Sequence, residues 1–119
     1  MIHKEDLKDY LAESERKEHE KKLEEFIDKA IKRNALAGNT TFHISTGEYT
    51  QDGSRKTPFY DIWNTKGLSM ENRRIVQTRI ISKYRENGFE VVETSIDCGW
   101  HNQYEALKFN NIDKLVTDE

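Results

Sequence analysis

Cysteine, proline and long apolar stretches are scarce in this sequence of 119 residues. Cys98 is the single cysteine, so no disulfide can form within the chain and a cysteine-rich zinc site is excluded. A lone thiol is typical of a reducing, intracellular compartment, and we expect a cytoplasmic protein. The N-terminal residues lack the apolar run of a signal peptide. No stretch approaches the roughly 18 consecutive apolar residues that suggest a membrane span.

Apolar residues are also few. The hydrophobic fraction is 34%, which is no larger than the charged fraction of 34%. An average globular chain has more apolar and fewer charged residues. The length predicts one domain with a small core, and an oligomer interface would add buried surface. A net charge of -3 gives no general attraction to nucleic acid.

Residues 4–35 contain neither glycine nor proline and are rich in strong helix formers. Acid-before-base pairs recur in this segment at the helical i,i+4 spacing. These pairs are Glu13/Lys17, Glu18/Lys22, Glu25/Lys29 and Asp28/Lys32. The pattern predicts one long helix that ends at Gly38 by C-cap chemistry.

Apolar residues cluster at the two ends of this helix. Leu7, Tyr10 and Leu11 form the first cluster, and residues 23–31 contain the second, which falls on one helical face. We expect the C-terminal half to dock on the domain and the N-terminal half to project or bend back. The predicted division is therefore a charged helix, residues 1–37, and a compact α+β domain, residues 38–119.

The remaining elements are predicted from the alternation of apolar and polar residues, from helix-capping residues and from turn residues. They are a strand at 40–46, a short helix starting at Pro58, a helix at 70–86 between Ser69 and Asn87-Gly88, and strands at 89–98 and 103–110. Phe89 is placed to make the hydrophobic contact of a Schellman-type cap. Residues 99–102 form the predicted hairpin loop, which sets Val92 opposite Phe109, Glu93 opposite Lys108 and Asp97 opposite Tyr104.

The element order predicts an α+β fold in which the long N-terminal helix packs on a small three-stranded β-α-β-β sheet. The first two strands run parallel with the last strand between them, and helix 70–86 covers one face. The second face is either exposed or covered by the docked half of helix 4–35. That polar face is expected to carry His43, Ser45, Glu93, Ser95, Asp97, Tyr104 and Lys108.

Few residues suggest catalysis or metal binding. His43, Asp97 and His101 are the candidates for a small hydrolase or a metal site, but they form no known spacing motif. Cys98 is expected to point toward the helix as an inert, half-buried thiol. No cofactor and no metal are predicted, and the face around His43, Ser45, Asp97 and Tyr104 remains a possible ligand face.

Two regions are candidate contact surfaces. Helix 70–86 is locally basic, with Arg73, Arg74 and Arg79 available for phosphates or for an acidic protein patch. Trp100 and His101 lie at the predicted hairpin tip, and tryptophan is enriched at interface hot spots.

The favoured hypothesis is a small non-enzymatic protein-binding or assembly module that self-associates through helix 4–35 or a free sheet edge. Accessory or inhibitor-type proteins of bacteria and phages often have this kind of composition. The alternative is a nucleotide or nucleic-acid binder that uses the basic helix and the polar sheet face. A small hydrolase comes third.

Overall fold

A computed structural model describes residues 1–46, 58–65, 67–99 and 102–116, with side chains for all of these except 58, 96–99 and 102–104. The elements in chain order are α1 (Lys4–Leu36), β1 (Phe42–Ser45), α2 (Pro58–Trp63), α3 (Met70–Glu86), β2 (Glu90–Gly99), β3 (Asn102–Asn110) and a 3₁₀ helix (Ile112–Val116). The α+β class and the long N-terminal helix are confirmed.

The predicted caps of the two long helices are also confirmed. Gly38 follows α1 at φ +81°, and the Asn39 amide donates to the Asn34 carbonyl at 2.8 Å. This hydrogen bond closes a Schellman motif. At the start of α3, the Ser69 hydroxyl accepts from the Asn72 amide at 3.1 Å, which satisfies one of the free donors of the first turn.

The end of α3 repeats the Schellman motif. Gly88 has φ +94°, and the Phe89 amide donates to the Tyr84 carbonyl at 3.0 Å. The rings of Tyr84 and Phe89 meet edge to face at 5.6 Å, as expected for the hydrophobic contact of this cap. A Cβ at position 88 would lie 2.7 Å from a Leu115 methyl, so close packing and backbone conformation both favour glycine here.

The sheet has the order β1-β3-β2, and both neighbouring pairs are antiparallel. Since β3 opposes both of its neighbours, β1 and β2 run in the same direction with β3 between them, as predicted. Phe42 and Ile44 of β1 are buried while His43 is exposed. The predicted inward and outward residues of β1 are therefore confirmed.

The predicted hairpin register is wrong by one residue. Val91, rather than Val92, lies opposite Phe109, and Glu93 lies opposite Leu107. The cause is an irregularity in β2 between Asp97 and Gly99, which leaves one extra residue on that strand. Because side chains alternate between the two faces, this shift moves Glu93 and Ser95 to the helix-covered side and Val92 to the other side.

One core joins α1, α2, α3 and the sheet. Its buried residues are Leu23, Ile27, Ala30, Phe42, Ile44, Phe59, Trp63, Leu68, Val76, Ile80, Ile81, Tyr84, Val91, Leu107 and Phe109. α1 contacts α3 and α2, while α3 contacts β2 and α2 contacts β1. The alternative in which α1 covers the second sheet face is therefore wrong, and both His43 and Val92 are exposed there.

α1 and α3 lie side by side and run in the same direction. The Arg16 guanidinium donates to the Asn72 side chain at 2.8 Å, and twelve residues further along each helix the Tyr84 hydroxyl donates to Asp28 at 2.5 Å. Paired positions thus advance together along both helices. The parallel packing determines which part of α1 contacts α3 and which part extends beyond the rest of the fold.

Candidate interaction surface

The first functional candidates, the basic residues of α3, all reach acceptors inside the protein. Arg73 donates to the Asn64 carbonyl at 3.3 Å, although its Nε atom is buried without a partner among the described residues. Arg74 lies 3.4 Å from Glu93, a long contact between two exposed side chains that contributes little. Arg79 lies 2.6 Å from Glu13.

The other two basic side chains of α3 are also engaged. Lys83 forms a 2.7 Å ion pair with Glu24 of α1, and Arg85 Nε donates to the Val91 carbonyl at 3.0 Å. The acidic first helix therefore balances much of the positive charge of α3. Each of the five cations thus has an acceptor within the described part of the molecule, although the contact of Arg74 is long and exposed.

Glu13 is the centre of the contact between the charged middle of α1 and α3. Both of its carboxylate oxygens accept from Arg79, at 2.6 and 3.0 Å, and Arg16 donates to it at 2.7 Å. The hydrogen bond from Arg79, followed by that from Arg16, lowers the pKa of Glu13 from 4.5 to about 2. The polar middle of α1 is thus held by ion pairs, whereas Leu23, Ile27 and Ala30 bury apolar surface.

We expect Glu13 to make the stability of the protein depend on pH. Its folded-state pKa lies below the ordinary value, so its stabilising contribution is complete above about pH 4.5 and is lost as the pH falls toward about 2. Glu13→Gln should therefore lower the melting temperature at neutral pH, and the two proteins should converge near pH 2. Thermal unfolding followed by circular dichroism measures the difference, and a difference that is constant with pH would contradict this role.

The predicted ligand face is only partly assembled. His43 lies opposite Lys108 and Ser45 opposite Ala106, on neighbouring strands. Desolvation, together with the nearby Lys108 charge, lowers the pKa of His43 and favours its neutral form.

The backbone places Asp97 far from His43. Val92 is level with His43 because both lie opposite Lys108. Asp97 is five residues further along β2, about 16 Å at the rise of a strand, and lies on the opposite edge strand. The two residues are therefore too far apart to share a proton.

The remaining sequence-predicted site residues fall on the hairpin tip. Trp100 and His101 lie outside the described residues, as do the side chains of Asp97, Cys98 and Tyr104. The backbone pairs Ile96 with Tyr104 and Asp97 with Gln103, so the predicted pairing of Asp97 with Tyr104 is wrong. The proposed contact role of Trp100 and His101 stays a prediction.

A polar pocket of about 350 Å³ opens where α2 ends and α3 begins. Its walls include Arg74, Gln77, Glu93 and Glu105. Gln77 is buried and donates to the Trp63 carbonyl at 2.9 Å. Within the described ranges, no group of three or more His, Cys, Asp or Glu side chains is arranged to hold a metal ion.

The N-terminal end of α1 carries several exposed apolar side chains. Residues 1–11, which we call the arm, are all exposed. Leu7, Tyr10 and Leu11 are 51%, 59% and 61% exposed, and their i, i+3, i+4 spacing aligns them in one stripe. The apolar cluster and its projection are visible in the sequence, but its role as a surface depends on which side of the helix faces the body.

The two leucines of the stripe face away from the core of the protein. Leu7 and the fully buried Ile27 are twenty residues apart on α1, which is about five and a half helical turns. Leu11 and Ile27 are sixteen residues apart, or about four and a half turns. The half turn places Leu7 and Leu11 on the side of α1 opposite to Ile27, so they cannot join the protein's own core without bending the helix. Tyr10 lies eighteen residues, or five turns, before Asp28, which accepts from Tyr84 of α3. Tyr10 therefore lies on the edge of the stripe nearer to α3.

The two flanks of the stripe carry opposite charges. At 100° per residue, Lys4 and Lys8 lie about 60° and 100° to one side of Leu7, while Asp6 lies about 100° to the other side. Ser14 continues the line of the stripe, and the positions beyond it, Glu18 and Lys21, are charged. Within the arm, the lysines thus lie on one side of the stripe and Asp6 on the other, whereas the exposed Glu15 and Lys17 reverse these signs one turn later.

The chain matches no protein-family model, and neither a curated protein nor a solved structure is similar to it. None of the described helices combines the length and the apolar character needed to cross a membrane.

Proposed function

We propose that this protein is a non-enzymatic assembly module that self-associates through the arm of α1. The observation that carries the proposal is the exposed stripe of Leu7, Tyr10 and Leu11, whose two leucines lie on the side of α1 opposite to Ile27. An apolar stripe on a projecting helix is the usual form of a helix-to-helix contact. The proposal includes a cytoplasmic location, because a single cysteine fits a reducing compartment.

A second copy of the chain is the partner that fits the arm best. Its own stripe supplies a matching apolar surface. Symmetric pairs of this kind are the commonest oligomers. The helical part of the arm, from Lys4 to Leu11, spans only about 12 Å, so we expect a weak dimer that dissociates on dilution.

The separation of His43 from Asp97 supports the non-catalytic part of this proposal. The short ion pairs of Arg79 and Lys83 with acids of α1 leave these two cations less available for phosphates, which weakens the case for nucleic-acid binding. A protein contact therefore remains the function for which the exposed surface provides the most direct argument.

The test is the mass in solution across a concentration series. We expect the mass measured by light scattering or sedimentation equilibrium to rise from 14.1 kDa toward twice that value. Leu7→Ala with Leu11→Ala should raise the dissociation constant by about thirtyfold, because each dimer loses four partly buried leucines. Alanine keeps the helix propensity of the arm, so the monomer should unfold as the wild type does.

Leu36→Ala is the matched control, since Leu36 is 79% exposed at the other end of the same helix. This variant should dimerise as the wild type does. A chain that stays monomeric at the highest soluble concentration would contradict self-association. Equal weakening by the arm variant and by Leu36→Ala would contradict the assignment of the contact to the arm.

A further inference from the structure

We propose that the free edge of β2 binds an extended basic segment of another protein, which adds a strand to the sheet. This contact is separate from the arm and does not depend on self-association. Three features carry it together. They are the outward backbone groups of Glu93 and Ser95, the polar pocket that these two residues line, and the acidic composition of β2.

β2 is an edge strand of the described sheet, because the strand order is β1-β3-β2. The Thr46 amide donates to the Glu105 carbonyl at 2.8 Å, so odd-numbered residues of β3 bond toward β1 and even-numbered residues bond toward β2. Between residues 90 and 96, even-numbered residues of β2 pair with even-numbered residues of β3. The backbone N–H and C=O groups of Glu93 and Ser95 therefore point away from β3, into the free edge.

Val91 shows how the same edge is closed one step away. Its carbonyl also points outward, and it accepts from Arg85 Nε of α3 at 3.0 Å. Within the described residues, no such group reaches the backbone of Glu93, and Ser95 receives only a 3.5 Å contact from the hydroxyl of its neighbour Thr94. This part of the edge thus offers main-chain donors and acceptors to an added strand.

The polar pocket of about 350 Å³ lies beside this edge, because Glu93 and Ser95 are part of its wall. Ser95 lies opposite Glu105, so a long side chain of the added strand can extend past this small residue to the Glu105 carboxylate. Glu105 forms no ion pair within the described residues, and Arg74 contacts Glu93 only at 3.4 Å. Two carboxylates and one guanidinium leave the wall with a net negative charge, which favours a lysine or arginine side chain.

The composition of β2 determines which partner fits the edge. β2 contains Glu90, Glu93 and Asp97 and no basic residue. A second copy that paired its own β2 with this edge would set one acidic strand against another, and like charges on neighbouring strands are destabilising. An extended segment with alternating basic residues supplies the opposite charge. Its main chain provides affinity, and its basic side chain in the pocket provides specificity.

A capped eight-residue peptide of alternating threonine and lysine is the probe for this site, with the threonine–glutamate peptide as its control. Titration followed by amide NMR spectra measures the binding. The lysine peptide should shift the amide signals of Glu93 and Ser95, and the glutamate peptide should not. Ser95→Pro removes an outward donor that β3 does not use, so it should leave the fold intact and weaken binding by about tenfold.

Glu105→Gln and Glu90→Gln form a matched pair that separates the pocket from general charge attraction. Both remove one negative charge, but Glu105 lines the pocket, whereas Glu90 lies on the other face of the sheet. Glu105→Gln should weaken binding of the lysine peptide by about fivefold, and Glu90→Gln by less than about twofold. Equal losses in the two variants would overturn the assignment of the pocket.

The proposal for the edge and the proposal for the arm fail independently. Leu7→Ala with Leu11→Ala should bind the lysine peptide as the wild type does, even where its dimer is weakened. A wild type that does not bind the peptide at about 1 mM, or that binds it with the amide signals of Glu93 and Ser95 unshifted, would overturn the β2 site. Neither result would affect the mass measurements that test self-association.

Discussion

Phe109→Ala is expected to destabilise the protein by about 3–5 kcal/mol, the usual cost of truncating a fully buried phenylalanine. Phe109 lies on the central strand and has no exposed surface. Its ring stacks on Phe42 at 5.3 Å and meets Tyr84 and Phe89 edge to face at 5.8 and 6.0 Å. Removing the ring leaves a cavity among groups from β1, α3 and the start of β2. Denaturant unfolding followed by circular dichroism measures the change.

Val91 and Val92 supply the matched pair of controls for this experiment. Val91 is 2% exposed and lies opposite Phe109, whereas Val92 is 38% exposed on the other face. Val91→Ala should cost about 2 kcal/mol, and Val92→Ala less than about 1 kcal/mol. The reverse ranking would contradict the register of β2 against β3. A loss below about 1 kcal/mol for Phe109→Ala would contradict its place at the centre of the core.

The helix ends were predictable because their signals are local. Gly38 and Gly88 adopt positive φ and Ser69 accepts a hydrogen bond from Asn72, and each of these interactions involves residues within a few positions. The contact between Phe89 and Tyr84 likewise joins neighbours in sequence. Such features depend on backbone geometry that a short segment determines by itself.

The hairpin register was not predictable from the same kind of reasoning. Near the turn, Gly99 pairs with Asn102, which agrees with the predicted register. Beyond the irregularity at Cys98, the pairing shifts by one residue, and this places Glu93 opposite Leu107 rather than Lys108. Cross-strand pair preferences are worth only a few tenths of a kcal/mol to about 1 kcal/mol. They could not decide the register, because both alternatives set a valine opposite Phe109.

The contact between α1 and α3 could not be predicted from the sequence either. Glu13 and Arg79 are 66 positions apart, and nothing local shows that these two charges belong together. The sequence therefore predicts that the polar middle of α1 is a solvated surface, although ion pairs hold it against α3. Gln77 similarly resembles an exposed helix residue, yet it is buried and donates to the Trp63 carbonyl.

The way α1 is anchored explains how the arm can stay helical. The two exposed turns from Lys4 to Leu11 would be only marginally helical as an isolated peptide, since helix initiation is costly. In this protein the helix is already formed from Glu13 onward by contacts with α3, so the arm only extends an existing helix. The presentation of Leu7, Tyr10 and Leu11 thus depends on the docking of the residues that follow them.

Ile27→Ala is expected to lower the stability of the whole protein by about 3 kcal/mol, within the usual range for a buried aliphatic residue. Ile27 is fully buried and belongs to the same core as Phe59, Ile80 and Phe109. If this core is one cooperative unit, hydrogen exchange of β3 amides should accelerate together with exchange in α1. Leu11→Ala is the matched control on the same helix, because Leu11 is 61% exposed, and it should cost less than about 0.5 kcal/mol.

The opposite outcome would be equally informative about the organisation of the chain. If β3 kept its protection while α1 lost it, residues 38–119 would fold alone, as the predicted division at residue 37 implies. The arm would then belong to a helix that detaches from residues 38–119. The dimer would weaken in proportion to the fraction of molecules in which α1 is detached. With one cooperative core, Ile27→Ala should instead leave the dissociation constant of the folded protein unchanged, because Leu7 and Leu11 lie on the side of the helix opposite to Ile27.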